Sequence, residues 1–154
     1  MNSLVLDSTG GTGRLIGQMS RIPWRQVSAL ALAAFFVVGS LSNIFAPPSI
    51  YEEYLRWGYP SWFHLVTGWL ELTTAVLLAR AQTRLWGSAL GCTVMLAALA
   101  TVTLHGEYGH GAAPLIVATL SILVGWIAWR AGAAHRASRA VRPERTSTES
   151  DPRR

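Results

Sequence analysis

Apolar residues are gathered into four long runs, over 27–46, 62–79, 85–104 and 112–129, separated by short polar segments. Each run is close to the ~20 residues that carry an α-helix across a ~30 Å hydrocarbon layer at a rise of ~1.5 Å per residue. None contains Lys, Arg or Asp. In lipid an open strand leaves its amides unpaired at a cost of several kcal/mol each, and the runs lack the strict alternation of barrel strands. The pattern predicts an all-α protein, an integral membrane four-helix bundle. The first run is longer than the ~7–15 residues of a signal-peptide core and no A-x-A site follows it, so it is read as a retained span.

Arginine placement sets the expected orientation. Arg14, Arg21 and Arg25 precede the first run, Arg80 and Arg84 lie between the second and third, and Arg130 follows the fourth with an Arg-rich tail. Only Arg56 lies between the first and second runs, and 105–111 has no Lys or Arg. The positive-inside rule then puts both termini in the cytoplasm, N-in and C-in, of a multi-pass cell (inner/plasma) membrane protein. Trp24, Trp86, Trp126 and Trp129 fall near the inner boundary and Phe45, Trp57, Tyr59 and Trp62 near the outer, as an aromatic belt requires, whereas Trp69 is well inside a span.

The outer segment 47–61 carries helix signals of its own. Pro47 and Pro48 end the first helix, Ser49 and Glu52 have capping-box spacing, and Gly58 follows Trp57, so a short helix is expected over 50–57. Its Tyr51, Tyr54, Leu55 and Trp57 would rest on lipid or cover the mouth of the bundle. The segments outside the spans, 1–26 and 131–154, are expected to be a flexible Gly/Ser-rich N-terminus and a disordered Arg-rich tail.

Composition agrees with a membrane setting. Charged residues make up 14% and hydrophobic residues 51%, against about a quarter charged in an ordinary soluble domain. The net charge of +5 resides largely in the tail, with no basic stripe interleaved with aromatics, so nucleic acid is not an expected partner. Cys92 is the single cysteine and lies in an apolar run, a packing residue with no internal disulfide or CxxC to form.

Glu71 is the one formally charged side chain deep within a run. A carboxylate there costs on the order of 2.5 kcal/mol on insertion scales, so it must face protein and hold a partner or a proton. His64, Thr67, Gly68, Thr74 and Ala75 share its helix face at seven, four, three, three and four residues' distance, while Leu65, Trp69, Leu72 and Val76 point elsewhere. Ser40, Ser42 and Asn43 in the first run, and Thr101 and His105 in the third, are the available partners. The candidate intramembrane polar site is therefore Glu71, His64, Thr67, Thr74, Asn43, Thr101 and His105. The alternative is that Glu71 only joins helices through a hydrogen bond of ~1 kcal/mol. No metal site is expected, because His64, His105 and Glu71 lie on two helices at different depths without H-x-x-x-H or E-x-x-H spacing. Haem is disfavoured by the lack of a matched histidine pair at mid-depth. Gly87 and Gly91 form a G-x-x-x-G followed by Ala97, Ala98 and Ala100, a close-approach face for an internal neighbour in preference to a dimer partner.

Two stretches carry resemblances. Thr9-Gly10-Gly11-Thr12-Gly13-Arg14-Leu15-Ile16-Gly17 after Leu4-Val5-Leu6 resembles the glycine turn of NmrA-like NAD(P)-binding proteins, but a dinucleotide site needs a full βαβ unit, and the first span begins at Val27. Leu55-Arg56-Trp57-Gly58-Tyr59-Pro60-Ser61-Trp62-Phe63, Gly68-Trp69-Leu70-Glu71-Leu72, the Arg80 to Arg84 turn and the stretch from Met95 to His105 resemble the DoxX-like family of small bacterial four-span membrane proteins, over roughly 27–130. Glu71 matches that family's acidic position. The resemblance implies a four-helix membrane bundle and a link to quinone-dependent redox systems, with a quinone as the cofactor to consider and membrane redox subunits or a second copy as partners. The expected function is a non-catalytic subunit or small-ligand-binding bundle, with an enzyme, a proton-coupled small-solute transporter using Glu71, and a purely structural protein as the alternatives.

Overall fold

A computed structural model of the chain describes residues 24–141, and these are helical, with no strand among the described residues. The elements are α1 (Trp24–Phe45), α2 (Pro48–Arg56), α3 (Phe63–Ala79), α4 (Arg84–Leu104), a 3-10 turn at Tyr108–Gly111, and α5 (Ala112–Val141). α1, α4 and α5 are long and apolar enough to cross a membrane, and α3 is an apolar helix of 17 residues. The N-terminal glycine motif lies outside the described residues.

Each apolar run becomes a helix, and its end nearest α2 or the 3-10 turn falls within one residue of the expected place. The differences lie at the ends. α5 continues through Arg130 to Val141 where a disordered tail was expected from 131. Ala131, Ala133, Ala134, Ala137 and Ala140 account for this, since alanine is the strongest helix former and the arginines are nearly as good. α2 begins at Pro48, two residues before the expected start, and has no side-chain cap, so the Ser49/Glu52 capping box does not form. Pro48 instead occupies the first turn, where its missing N–H costs nothing. Ala46 and Pro47 separate α1 from α2, and Ala46 adopts φ 35°. Gly58 ends α2 with φ 76°, a conformation other residues rarely adopt, and the amides of Gly58 and Tyr59 bond back to Leu55 and Tyr54.

The helices pack in the cyclic order α1, α3, α4, α5, with a thinner contact closing α5 back onto α1. Buried Ala29, Leu32, Ala33, Phe36 and Ser40 trace one stripe of α1 at helical spacing, and Val117, Ala118, Ser121, Val124 and Gly125 do so on α5. Phe36 and Leu78 are fully buried in the core. The outward faces are as apolar as this core, with Val38, Trp69 and Ile122 each about 60% exposed (63%, 61% and 60%), a surface that water does not suit and lipid does.

Glycine sets the closest approaches. A Cβ on Gly68 of α3 would meet Ile44 Cγ1 at 2.7 Å and the carbonyl oxygen of Ser40 at 3.1 Å. Gly87 rests on the α3 backbone at Leu77 and Leu78, and Gly91 on Phe36 and Thr74. Both glycines of the α4 G-x-x-x-G thus have neighbours on α3, and Gly91 has one on α1 as well.

Candidate functional site

Polar groups collect at the end of the array that carries α2 and the 3-10 turn. α3 supplies Glu71, which the 3.6-residue repeat turns inward together with Gly68, Thr74 and Ala75, all buried. Only 5% of Glu71 is exposed. Its carboxylate lies against Gly39 of α1, where a Cβ would stand 3.0 Å from both oxygens, so the absent side chain is what admits it.

Asn43, one helical turn beyond Gly39, is the hub. Its Nδ2 donates to Glu71 Oε2 at 2.8 Å and to the Gly39 carbonyl at 3.2 Å. Its Oδ1 accepts from the Tyr54 hydroxyl of α2 at 2.9 Å. Its backbone carbonyl accepts from His64 Nδ1 at 2.8 Å, and because a carbonyl only accepts, the ring hydrogen must be on Nδ1. His64 is flanked by Tyr51 and Tyr54, with ring centroids 5.8 and 6.4 Å away. Burial pushes the Tyr54 phenol above its ordinary value, so it remains a donor at neutral pH. One asparagine therefore ties α1, α2 and α3 together around the buried carboxylate.

Thr101 and His105 form a second cluster. Thr101 spends its single hydrogen on the Ala97 carbonyl at 3.0 Å, so the 2.8 Å contact with Tyr59 has the tyrosine as donor. His105 Nδ1 donates to the Thr101 carbonyl at 2.8 Å, and its ring lies 6.2 Å from that of Trp57. Thr74 joins neither cluster: its hydroxyl bonds back to the Leu70 carbonyl at 2.8 Å and its methyl packs against Gly91. Of the seven expected site residues, Glu71, Asn43 and His64 are brought together, Thr101 and His105 form their own group, and Thr67 lies on the wall between the two.

That wall bounds a cavity of about 150 Å³ between α3 and α4. Thr67, Leu70, Val94, Ala98 and Thr101 form its sides, and Tyr54, Trp57, Tyr59 and Phe63 close it from the loop. Tyr59 and Phe63 stack in parallel at 4.3 Å. The Trp57 Nε1–H is buried, close to the Glu107 carboxylate, which does not line the cavity. The aromatic segment was expected to rest on lipid or to cover the mouth, and its buried Tyr54 does the latter. What the sequence did not reveal is the cradle at Gly39 and the role of Tyr54 as a partner of Asn43. Their spacing is a weak signal, since Gly39 and Asn43 are four apart on one face.

An ion pair closes the same end from outside. Arg56 Nη2 meets Glu107 Oε1 at 2.8 Å and His110 Nδ1 meets Oε2 at 3.3 Å, tying α2 to the 3-10 turn. Desolvation opposes ionisation of Glu107, but the Arg56 hydrogen bond and charge outweigh it and hold the carboxyl below its ordinary value. A depressed carboxyl stabilises the fold above its unfolded value, about 4.3, and loses that contribution as pH falls through the lower folded value. Thermal melts of the wild type and Glu107→Gln should therefore differ at neutral pH and converge well below pH ~4. A constant offset between them at all pH values would refute this assignment.

A sequence profile of the DoxX-like family matches residues 27–124, which spans α1 to the middle of α5 and contains every residue of both clusters. The chain belongs to the DoxX-like family. With its apolar helices, this makes it a membrane protein of that family. Neither a curated protein nor a solved structure matches the chain. In this DoxX-like chain the glutamate that carried the resemblance is the buried carboxylate held by Asn43.

Proposed function

We propose that this DoxX-like protein is a non-catalytic bundle of four membrane spans, with both termini in the cytoplasm, that binds a small planar apolar ligand beneath its aromatic cover. The best chemical match is the headgroup of a quinone, and the role is that of a subunit of a quinone-linked redox system in the inner membrane. The observation that carries this reading is the cavity itself. It is apolar, and Tyr54, Trp57, Tyr59 and Phe63 give it enough aromatic surface to bury a ring. The polar hub behind Tyr54 holds that wall in place, because Tyr54 cannot leave the cavity without giving up its bond to Asn43. The positive-inside pattern supports the orientation, and the 17-residue α3, about 25 Å long at ~1.5 Å per residue, reaches across with modest thinning of the layer.

The test is titration of a short-chain quinone into the protein in nanodiscs, followed by tryptophan quenching. Ala98→Leu, which fills the cavity without touching the polar hub, is expected to weaken binding at least tenfold. Trp57→Phe, which thins one aromatic wall of the cavity, is expected to weaken it several-fold, read by calorimetry. Binding of equal strength in the wild type and Ala98→Leu would place any quinone elsewhere and overturn the proposal.

A further inference from the structure

At the opposite end of the helices the side chains are of a different kind. A cavity of about 670 Å³ opens there between the start of α1, the α3–α4 turn and the extension of α5. Arg25, Arg84 and Arg136 line it, with the amides of Gln26 and Gln82 and the indole of Trp129. Two of the arginines are held by backbone carbonyls of neighbouring helices. Arg25 Nη2 donates to Ile127 of α5 at 3.1 Å, and Arg84 Nε donates to Leu78 of α3 at 3.1 Å. Arg84 Nη1 also reaches the Arg25 carbonyl at 3.5 Å. The third folds back along α5 over Gly132, whose missing side chain leaves it room, with Nη1 3.5 Å from where a Cβ would stand.

A guanidinium carries five N–H donors, so these bonds leave most of them unspent. No carboxylate answers them among the described residues. Glu52, Glu53 and Glu107 belong to the far end of the array and Glu71 to the polar hub, and the described ion pairs involve only Arg56 and His110. Three positive groups around one opening, two of them held in place, with no carboxylate among the described residues to meet them, call for an anionic ligand.

The opening does not end at the arginines. Ser28, Val124 and Ile127 line both it and a second, apolar cavity of about 430 Å³ that runs up the seam between α1 and α5. That seam is the thinnest contact in the ring of helices. Its walls are Ala31, Leu32 and Phe35 on one side and Val117, Leu120 and Leu123 on the other. A cationic mouth leading into an apolar channel open to lipid has the polarity of a phospholipid read from headgroup to tail.

We propose that this site binds one anionic phospholipid, its phosphate held by Arg25, Arg84 and Arg136 and one acyl chain lying in the groove between α1 and α5. The lipid completes the seam that the protein leaves thin, and the arginines select for charge at the surface where the headgroups lie. The site is separate from the aromatic cavity, so a failure of quinone binding leaves it standing.

Native mass spectrometry of the full-length protein, released from bilayers mixing phosphatidylglycerol with phosphatidylcholine, tests it. One phosphatidylglycerol is expected to be retained in preference to phosphatidylcholine. Arg136→Gln, which removes no described bond between helices, is expected to lower that retention about fivefold, the effect of one arginine at a lipid surface. Ala31→Trp, which fills the groove and leaves the arginines alone, should lower it for both lipids. Arg80→Gln, at the same end but outside the cavity, should leave it unchanged. Equal retention of the two lipids in the wild type, or equal losses for Arg80→Gln and Arg136→Gln, would overturn the proposal.

Discussion

Asn43→Leu is expected to be the most damaging single substitution in the polar cluster, lowering stability by roughly 3–5 kcal/mol. The side chain serves three partners at once: Glu71 Oε2, the Gly39 carbonyl and the Tyr54 hydroxyl. Leucine has the same branched skeleton, so the main loss is that of the three hydrogen bonds. The carboxylate and the phenol are both stranded in an apolar setting, and a buried polar group without a partner costs ~1–3 kcal/mol, more where it is charged. Glu71→Gln should be far milder, below ~1 kcal/mol, because its amide oxygen still accepts from Asn43. The double variant Asn43→Leu/Glu71→Leu should recover part of the loss, since removing both partners is less costly than removing one. Thermal melts in mild detergent measure all three. If Asn43→Leu melts with the wild type, the hub does not hold the helices together. If Glu71→Gln keeps the fold but loses quinone binding, the carboxylate serves the ligand as well as the seam.

Gly87→Ala is expected to destabilise by about 1–3 kcal/mol even though it improves helix propensity by ~1 kcal/mol. The two effects oppose each other, and the neighbour decides which prevails. A Cβ at Gly87 meets Leu78 N at 2.7 Å and the Leu77 carbonyl carbon at 2.9 Å, backbone atoms that move only if α3 moves. At Gly91 the first contacts are Phe36 Cζ at 2.8 Å and Thr74 Cγ2 at 2.9 Å, both side-chain atoms with some freedom to turn. Gly91→Ala should therefore cost less than Gly87→Ala. Melting midpoints of the pair give the order directly, and a Gly87→Ala variant more stable than the wild type would show that α3 and α4 do not approach as closely as described.

The helices themselves were readable in advance because their cause is local. A run without Lys, Arg or Asp cannot leave its amides bare in lipid, so its length alone predicts the element, and α1, α3, α4 and α5 follow it closely. The inward stripe of α3 was equally plain, because a 3.6-residue repeat fixes which of His64, Thr67, Gly68, Glu71, Thr74 and Ala75 share a face. Ends were harder to read. Whether Pro48 stops one helix or starts the next, and how far α5 runs past Arg130, depend on small differences in propensity of well under ~1 kcal/mol per residue.

From the amino-acid order alone came the apolar helices, the inward face of Glu71 and the small residues at which helices approach. Only the tertiary structure decided that Asn43, and not Thr101 or His105, reaches the carboxylate, and that Thr74 turns away to its own helix. Only there do Tyr54 and Trp57 become the lid of a cavity. The physical reason is that periodicity specifies a direction about one helix axis, whereas a hydrogen bond of 2.8 Å depends on the separation and relative rotation of two, which Gly39 and Gly68 set by what they lack.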